Sequence, residues 1–172
     1  MKQVYTGKYV LKVTEEEIGG DIYEKTYTRE AVITFPVTDD GKILIIKEKR
    51  PHEITPFRWK PVTGFLEDNE TWQENAFKEL QEEAGYRADS VELFGEAHHN
   101  GTLNTSRYFV LAKGLTHDPI PNPDGDVIME IEAFSVEELI QMNLSGEIPM
   151  FFDNLGFFLL KEKVERGLIS LT

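Results

Sequence analysis

Three glutamates, Glu79, Glu82 and Glu83, stand at i, i+3 and i+4 in a stretch whose apolar residues Ala76, Phe77, Leu80 and Ala84 recur at helical spacing. On a helix this spacing brings the carboxylates onto one face beside the apolar stripe. Like charges one turn apart destabilise a helix by roughly 0.2–0.5 kcal/mol per pair, which a solvated helix can carry. Taken alone, the triplet therefore reads either as an acidic solvated face or as a set of oxygen ligands whose repulsion a cation removes. Hard cations such as Mg²⁺ suit the second reading. They take oxygen ligands, use few carboxylates and complete their shell with water and phosphate oxygens.

The surrounding residues decide between the two. The segment runs Gly64-x5-Glu70-x7-Lys78-Glu79-Leu80-x-Glu82-Glu83-x-Gly85-Tyr86. It resembles the catalytic box of the Nudix hydrolases, Gly-x5-Glu-x7-Arg-Glu-apolar-x-Glu-Glu-x-Gly-apolar. Seven of the nine specified positions match outright, Tyr86 fills the last apolar one, and Lys78 stands where the family has Arg. A pattern of this length with fixed gaps is far more specific than a lone glycine motif.

The resemblance implies an α/β fold, an α/β/α sandwich around a mixed β-sheet. It also implies Mg²⁺ or Mn²⁺ at the box, with Glu79 and Glu83 as primary ligands, Glu82 as a shared ligand and the backbone carbonyl of Thr63 approaching the same ions. Gly64, Glu70 and Lys78 would support this set. Glu70 also reads as a helix-start carboxylate favoured by the helix dipole. Lysine is a compact charge on a flexible stem where arginine offers a planar fork, so Lys78 predicts a looser hold on the glutamates.

The reaction so implied is hydrolysis of a diphosphate linkage, with metal neutralising charge on the phosphates and activating water. A general base must lie within hydrogen-bond reach of that water. By the resemblance it comes from the box or a later acidic stretch, where Asp124, Asp126 and Glu130 stand; each also reads as a solvated turn carboxylate. Arg50 falls where ADP-ribose-cleaving relatives place a phosphate-binding arginine, with a surface charge as its alternative. Trp59 and Phe57 offer rings for stacking on a base, and packing is their alternative. Arg107 and the pair His98-His99 read as cleft residues or as solvated ones.

Two features point to different substrates. About thirty residues before Ala31 resemble the extra strands of the ADP-ribose and nucleoside diphosphate sugar pyrophosphatases, which implies a homodimer closing over a nucleotide sugar. That group carries a proline some sixteen residues beyond the box, whereas His99-Asn100-Gly101-Thr102 holds none. Trp59-Lys60-Pro61-Val62-Thr63-Gly64 instead resembles the lead of relatives acting on nucleoside or pterin triphosphates. A Nudix-fold isomerase would need a catalytic cysteine, and the chain has none. A non-catalytic nucleotide sensor would have lost the glutamates, which are all present.

The elements that must hold the box follow from pattern. Strands are expected at Tyr9–Val13 and Ile22–Tyr27 around Gly19-Gly20-Asp21, a hairpin or meander, and at Ala31–Val37 and Lys42–Ile46 in the central sheet. A loop over 51–57 leads to a strand at Trp59–Thr63. Thr71 with Glu74 forms a capping box for the helix to Ala84, and Gly85 ends it. Val91–Phe94 and Arg107–Ala112 read as strands separated by a polar segment at Asn100-Gly101. Residues 116–126 hold Pro119, Pro121 and Pro123 and read as loop. Val127–Phe134 alternates like a half-buried strand, Ser135 and Glu138 cap a helix over Val136–Met142, and a last helix spans about Asn154 to Arg166. Residues 1–30 then form a dimerisation element and 31–172 the hydrolase domain.

Bulk composition agrees. A chain of 172 residues fits one domain with a small appendage. Its net charge of −13 opposes extended contact with a nucleic-acid polymer. The absence of cysteine removes disulfides and thiolate chemistry. The first residues lack the apolar run of a signal peptide, and no membrane-length apolar stretch occurs, so a cytoplasmic location and a small nucleotide-like substrate are expected.

Overall fold

The structure is a computed structural model that describes residues 1–49, 57–123, 127–149 and 154–172. Arg50, Asp124, Asp126 and all of the expected loop over 51–57 except Phe57 lie outside the described residues.

Among the described residues the largest sheet has seven strands. An antiparallel meander opens it: β1 (Lys2–Tyr5), β2 (Val10–Ile18) and β3 (Asp21–Thr28), with Gly19 and Gly20 in the left-handed region at the β2–β3 turn. The expected hairpin is thus present, longer than its pattern and extended by β1. Next, β4 (Ala31–Pro36) pairs with β7 (Val62–Phe65) on one side and β10 (Leu103–Lys113) on the other. Strand β10 runs parallel first to β3, Leu103 opposite Thr26, and then to β4, Arg107 opposite Ala31. Its other edge pairs antiparallel with β9 (Ser90–Asn100). Parallel and antiparallel ladders share one sheet, so the mixed sheet is borne out.

The His98–Asn100 segment, expected as a connection, belongs to strand β9. Its polar side chains mask the strand because this end of the hairpin lies against solvent on most sides. Strand β5 (Ile43–Lys49) also departs from expectation. It leads a second sheet with β6 (Arg58–Lys60) and β12 (Val127–Phe134), tied to β4 by the Val37–Ile43 bridge. Strand β12 is largely exposed rather than half-buried, because it forms the outer edge of this small sheet.

Both faces of β4 are buried, which explains its unbroken apolar run. Ile33 and Phe35 point to one side with Phe109 and Leu111 of β10, against Leu139 of α2 (Val136–Ser145) and Phe157 and Leu160 of α3 (Leu155–Glu165). Val32 and Val110 point to the other side, against Ala76 of α1 (Trp72–Glu83). Leu80 and Ala84 continue that second core onto Ile46 and Val62. Helix α1 covers one face and α2 with α3 the other, as the sandwich requires. No helix among the described residues is long and apolar enough to cross a membrane.

Both capping boxes form. The Thr71 hydroxyl accepts from the Glu74 N–H and the Ser135 hydroxyl from the Glu138 N–H, with each glutamate returning a bond to the cap backbone. Gly85 follows α1 at φ +72, where a side chain would be strained. The chain then enters β8 (Tyr86–Arg87), which pairs with β11 (Thr116–His117), so the region read as pure loop begins with a short strand.

Candidate active site

The site lies where β7 turns into α1. Glu79 leans so closely on the backbone of Gly64 that a Cβ there would overlap its Cγ and Cδ. One turn later Glu83 accepts the backbone N–H of Thr63 at Oε2, 3.0 Å away. Two box glutamates thus rest on consecutive residues of one strand, beside the Thr63 peptide. Both are buried, whereas Glu82 is half-buried and lines the cleft.

Glu83 is paired with a cation of the small sheet. Its Oε1 takes the Lys60 ammonium at 2.9 Å, and the same ammonium lies 3.1 Å from Glu48. Glu48, fully buried, accepts from Arg58 at 3.2 Å. A row of alternating charge, Arg58–Glu48–Lys60–Glu83, therefore runs between the small sheet and α1. Burial pushes the Glu83 carboxyl above its ordinary value, a shift that Lys60 and the Thr63 N–H oppose without cancelling. As the side chains stand, no three His, Cys, Asp or Glu among the described residues are drawn together around one point.

Glu70 sits before the helix cap and fastens the strand–helix loop. It accepts from the Glu67 N–H at 3.0 Å, from Asn75 Nδ2 at 2.9 Å and from the Lys78 ammonium at 2.6 Å. Burial raises its carboxyl, but these three donors outweigh that and hold it below the usual value. The loop includes Asn69 at φ +68 and is also held by Arg29, which donates to the Leu66 carbonyl. Lys78 lies 3.8 Å from Glu79, so one ammonium stands between the two carboxylates. Burial lowers the Lys78 value, and the pull of Glu70 and Glu79 reverses the sign. Asn75 and Arg29 escaped the sequence reading; Asn75, fully buried on a polar helix face, carries no motif signal.

An open cleft of about 550 Å³ spreads in front of Glu82 and Glu83. Gly85, His117, Pro119 and Asn122 line one part of it, and Met129, Glu130 and Ile131 of β12 another. The wall after β11 is fastened to the end of α1: the Asp118 N–H donates to the Gly85 carbonyl and Gln81 to the Asp118 carbonyl. His117, whose ring meets Tyr86 edge-on, is a cleft residue that spacing alone did not reveal. Glu130 is among the residues that border this cleft, and it pairs at 3.0 Å with Lys47, its neighbour on β5.

Trp59 points to the face of the small sheet away from Lys60, beside Lys47, whose ammonium lies 5.3 Å from its ring. It packs edge-on against Phe134 in the core, so packing accounts for its ring. Phe57 stays exposed, with the Lys47 ammonium 5.0 Å from its ring. His99 and Arg107 line a separate hollow of about 190 Å³ with Ala97, Thr105 and Leu155, away from the glutamates.

Comparison with known proteins agrees with this fold. The family described as the NUDIX domain matches residues 27–153. The chain is a member of the Nudix family. It is a Nudix pyrophosphohydrolase. A solved structure titled "Crystal structure of ADP compounds hydrolase" superposes with a TM-score of 0.79 at 18% identity, covering 98% of this chain and 94% of that one. The likeness extends through the N-terminal meander, which lies before most of the matched domain. A search of curated proteins finds no match.

The donor set of this Nudix site suits a hard divalent cation. Glu79, Glu82 and Glu83 supply only oxygen, and the bare Gly64 backbone lets Glu79 reach the strand that carries the Thr63 carbonyl.

Proposed function

We propose that the protein hydrolyses the diphosphate linkage of a nucleoside diphosphate joined to another group, such as ADP-ribose or another nucleotide sugar, using Mg²⁺ or Mn²⁺. The observation that carries this reading is the seating of Glu79 on Gly64 and Glu83 on Thr63, with Glu82 opening onto the cleft. Glu79, Glu82, Glu83 and the Thr63 carbonyl would hold the metal. Once bound, it neutralises phosphate charge and lowers the pKa of a bound water. Glu70, through Lys78, keeps Glu79 against the strand and fixes the loop before the helix. Glu130 borders the cleft as the described member of the candidate bases and is paired with Lys47.

Preference for a nucleotide sugar over a triphosphate rests on the N-terminal strands. Residues 1–30 extend the sheet and leave Val4, Tyr5, Leu11, Ile22 and Tyr23 exposed, an apolar surface suited to a homodimer. Trp59, the mark of the triphosphate lead, is spent on core packing.

The test is a substrate panel of ADP-ribose, other nucleotide sugars, dinucleoside polyphosphates and nucleoside triphosphates with Mg²⁺ or Mn²⁺. Product identification should show AMP and a sugar phosphate from ADP-ribose, and Glu83→Gln should abolish turnover. Pyrophosphate release from a triphosphate as the dominant reaction would replace this reading, and sedimentation as a monomer would remove the dimer.

A further inference from the structure

Lys60 places a positive charge where the proposed metal must draw on Glu83, and nothing in the box pattern calls for it. Its ammonium is nearly buried, 2.9 Å from Glu83 and 3.1 Å from Glu48, with β6 carrying it in register opposite Ile46 of β5. Two buried carboxylates that share one ammonium would repel strongly in this low-dielectric layer without it, and an unpaired buried carboxylate is costly. Lys60 satisfies both at once, and Arg58 completes the charge on the far side of Glu48.

We infer that Lys60 is a resident counter-cation that competes with the divalent ion for Glu83, setting metal affinity lower than the bare glutamates would give. This rests on the metal reading above. When a dication approaches Glu83, it meets the charge of Lys60 at short range, and the carboxylate must share its electrons between the two. The pair stabilises the metal-free protein and is weakened in the metal-bound one, so the coupling between Lys60 and metal is unfavourable. Glu48 moderates that coupling because it offers the ammonium a second carboxylate. Lys60 is in this sense a positioning residue: it orients Glu83 and grades its availability.

The experiment measures Mn²⁺ binding by the electron paramagnetic resonance of the free ion, at pH 8 and without substrate, for native protein, Lys60→Met and Lys60→Arg. Lys60→Met should bind Mn²⁺ about fivefold or more tightly, in the ordinary range of coupling between sites, while Lys60→Arg stays close to native. Mg²⁺ should also raise the melting temperature of Lys60→Met by more than it raises that of the native protein. A folded Lys60→Met with unchanged or weaker binding overturns the inference. If Lys60→Met does not fold, Glu48→Gln decides: the ammonium loses one of its carboxylates and leans more on Glu83, so Mn²⁺ binding should weaken, and unchanged or tighter binding overturns it. Native protein that binds no Mn²⁺, with Glu83→Gln indistinguishable from it, overturns the metal reading and the inference together. Native binding that Glu83→Gln abolishes, without a gain in Lys60→Met, overturns the inference alone.

Discussion

Glu79 occupies the space that a side chain at Gly64 would need. A Cβ at Gly64 would overlap the glutamate carboxyl arm, so the glycine is required by contact rather than by backbone angle. Gly64→Ala must push Glu79 off the strand. Because small misplacements of a reacting group can cost about 100-fold in rate, we expect a loss of that order in kcat/KM with metal saturating. Near-native turnover would show that Glu79 has another position in the working enzyme.

Lys78 joins Glu70 to Glu79, and only its charge and reach are needed for that. Lys78→Arg should keep or raise metal-dependent activity, since the guanidinium offers more donors to the same two carboxylates. Lys78→Met should lower activity about 10- to 100-fold, the usual cost of losing a group that orients metal ligands. A large loss in the arginine variant would assign Lys78 a different role.

Tyr108 supplies a pH-dependent signature. Burial, together with the Glu30 carboxylate that accepts its hydroxyl at 2.9 Å, pushes its phenol up to about 12. A folded pKa above the ordinary value of about 10 contributes stability that is complete below that value and fades as pH rises through about 12. Tyr108→Phe should leave the phenolate absorbance of the folded protein nearly unchanged at pH 11. In denaturant the same variant should lose one part in six, because the chain has six tyrosines. A matching loss in the folded protein would remove the Glu30 bond.

Gly156 separates stability from chemistry. It lets α3 pack directly on the sheet, and a Cβ there would overlap the Phe35 ring and lie 2.7 Å from Phe109 Cδ1. Gly156→Ala should cost about 1–3 kcal/mol through overpacking, read in a denaturant titration. Turnover below the transition should stay native, because the contact lies on the sheet face opposite α1. A selective loss of turnover would tie this core to the cleft.

The sequence by itself determined what is local and periodic. Thr71, Glu74 and Gly85 delimit α1 because capping and left-handed termination are settled within a few residues. The fixed gaps from Gly64 to Tyr86 determined the family and reaction type, since the box on one helix and its preceding strand is written in one short segment. Only the tertiary structure decided the contacts between distant segments. The seven-stranded sheet joins β10 to β4 across more than seventy residues, and β5 leaves that sheet for a smaller one. Trp59 turns into the core while its neighbour Lys60 turns to Glu83, because alternate residues of a strand face opposite sides. No spacing in the chain announces that Glu83, which reads as one of three converging ligands, has a lysine from strand β6 as a partner. That pairing arises from burial, which obliges each carboxylate in the layer to find a positive charge.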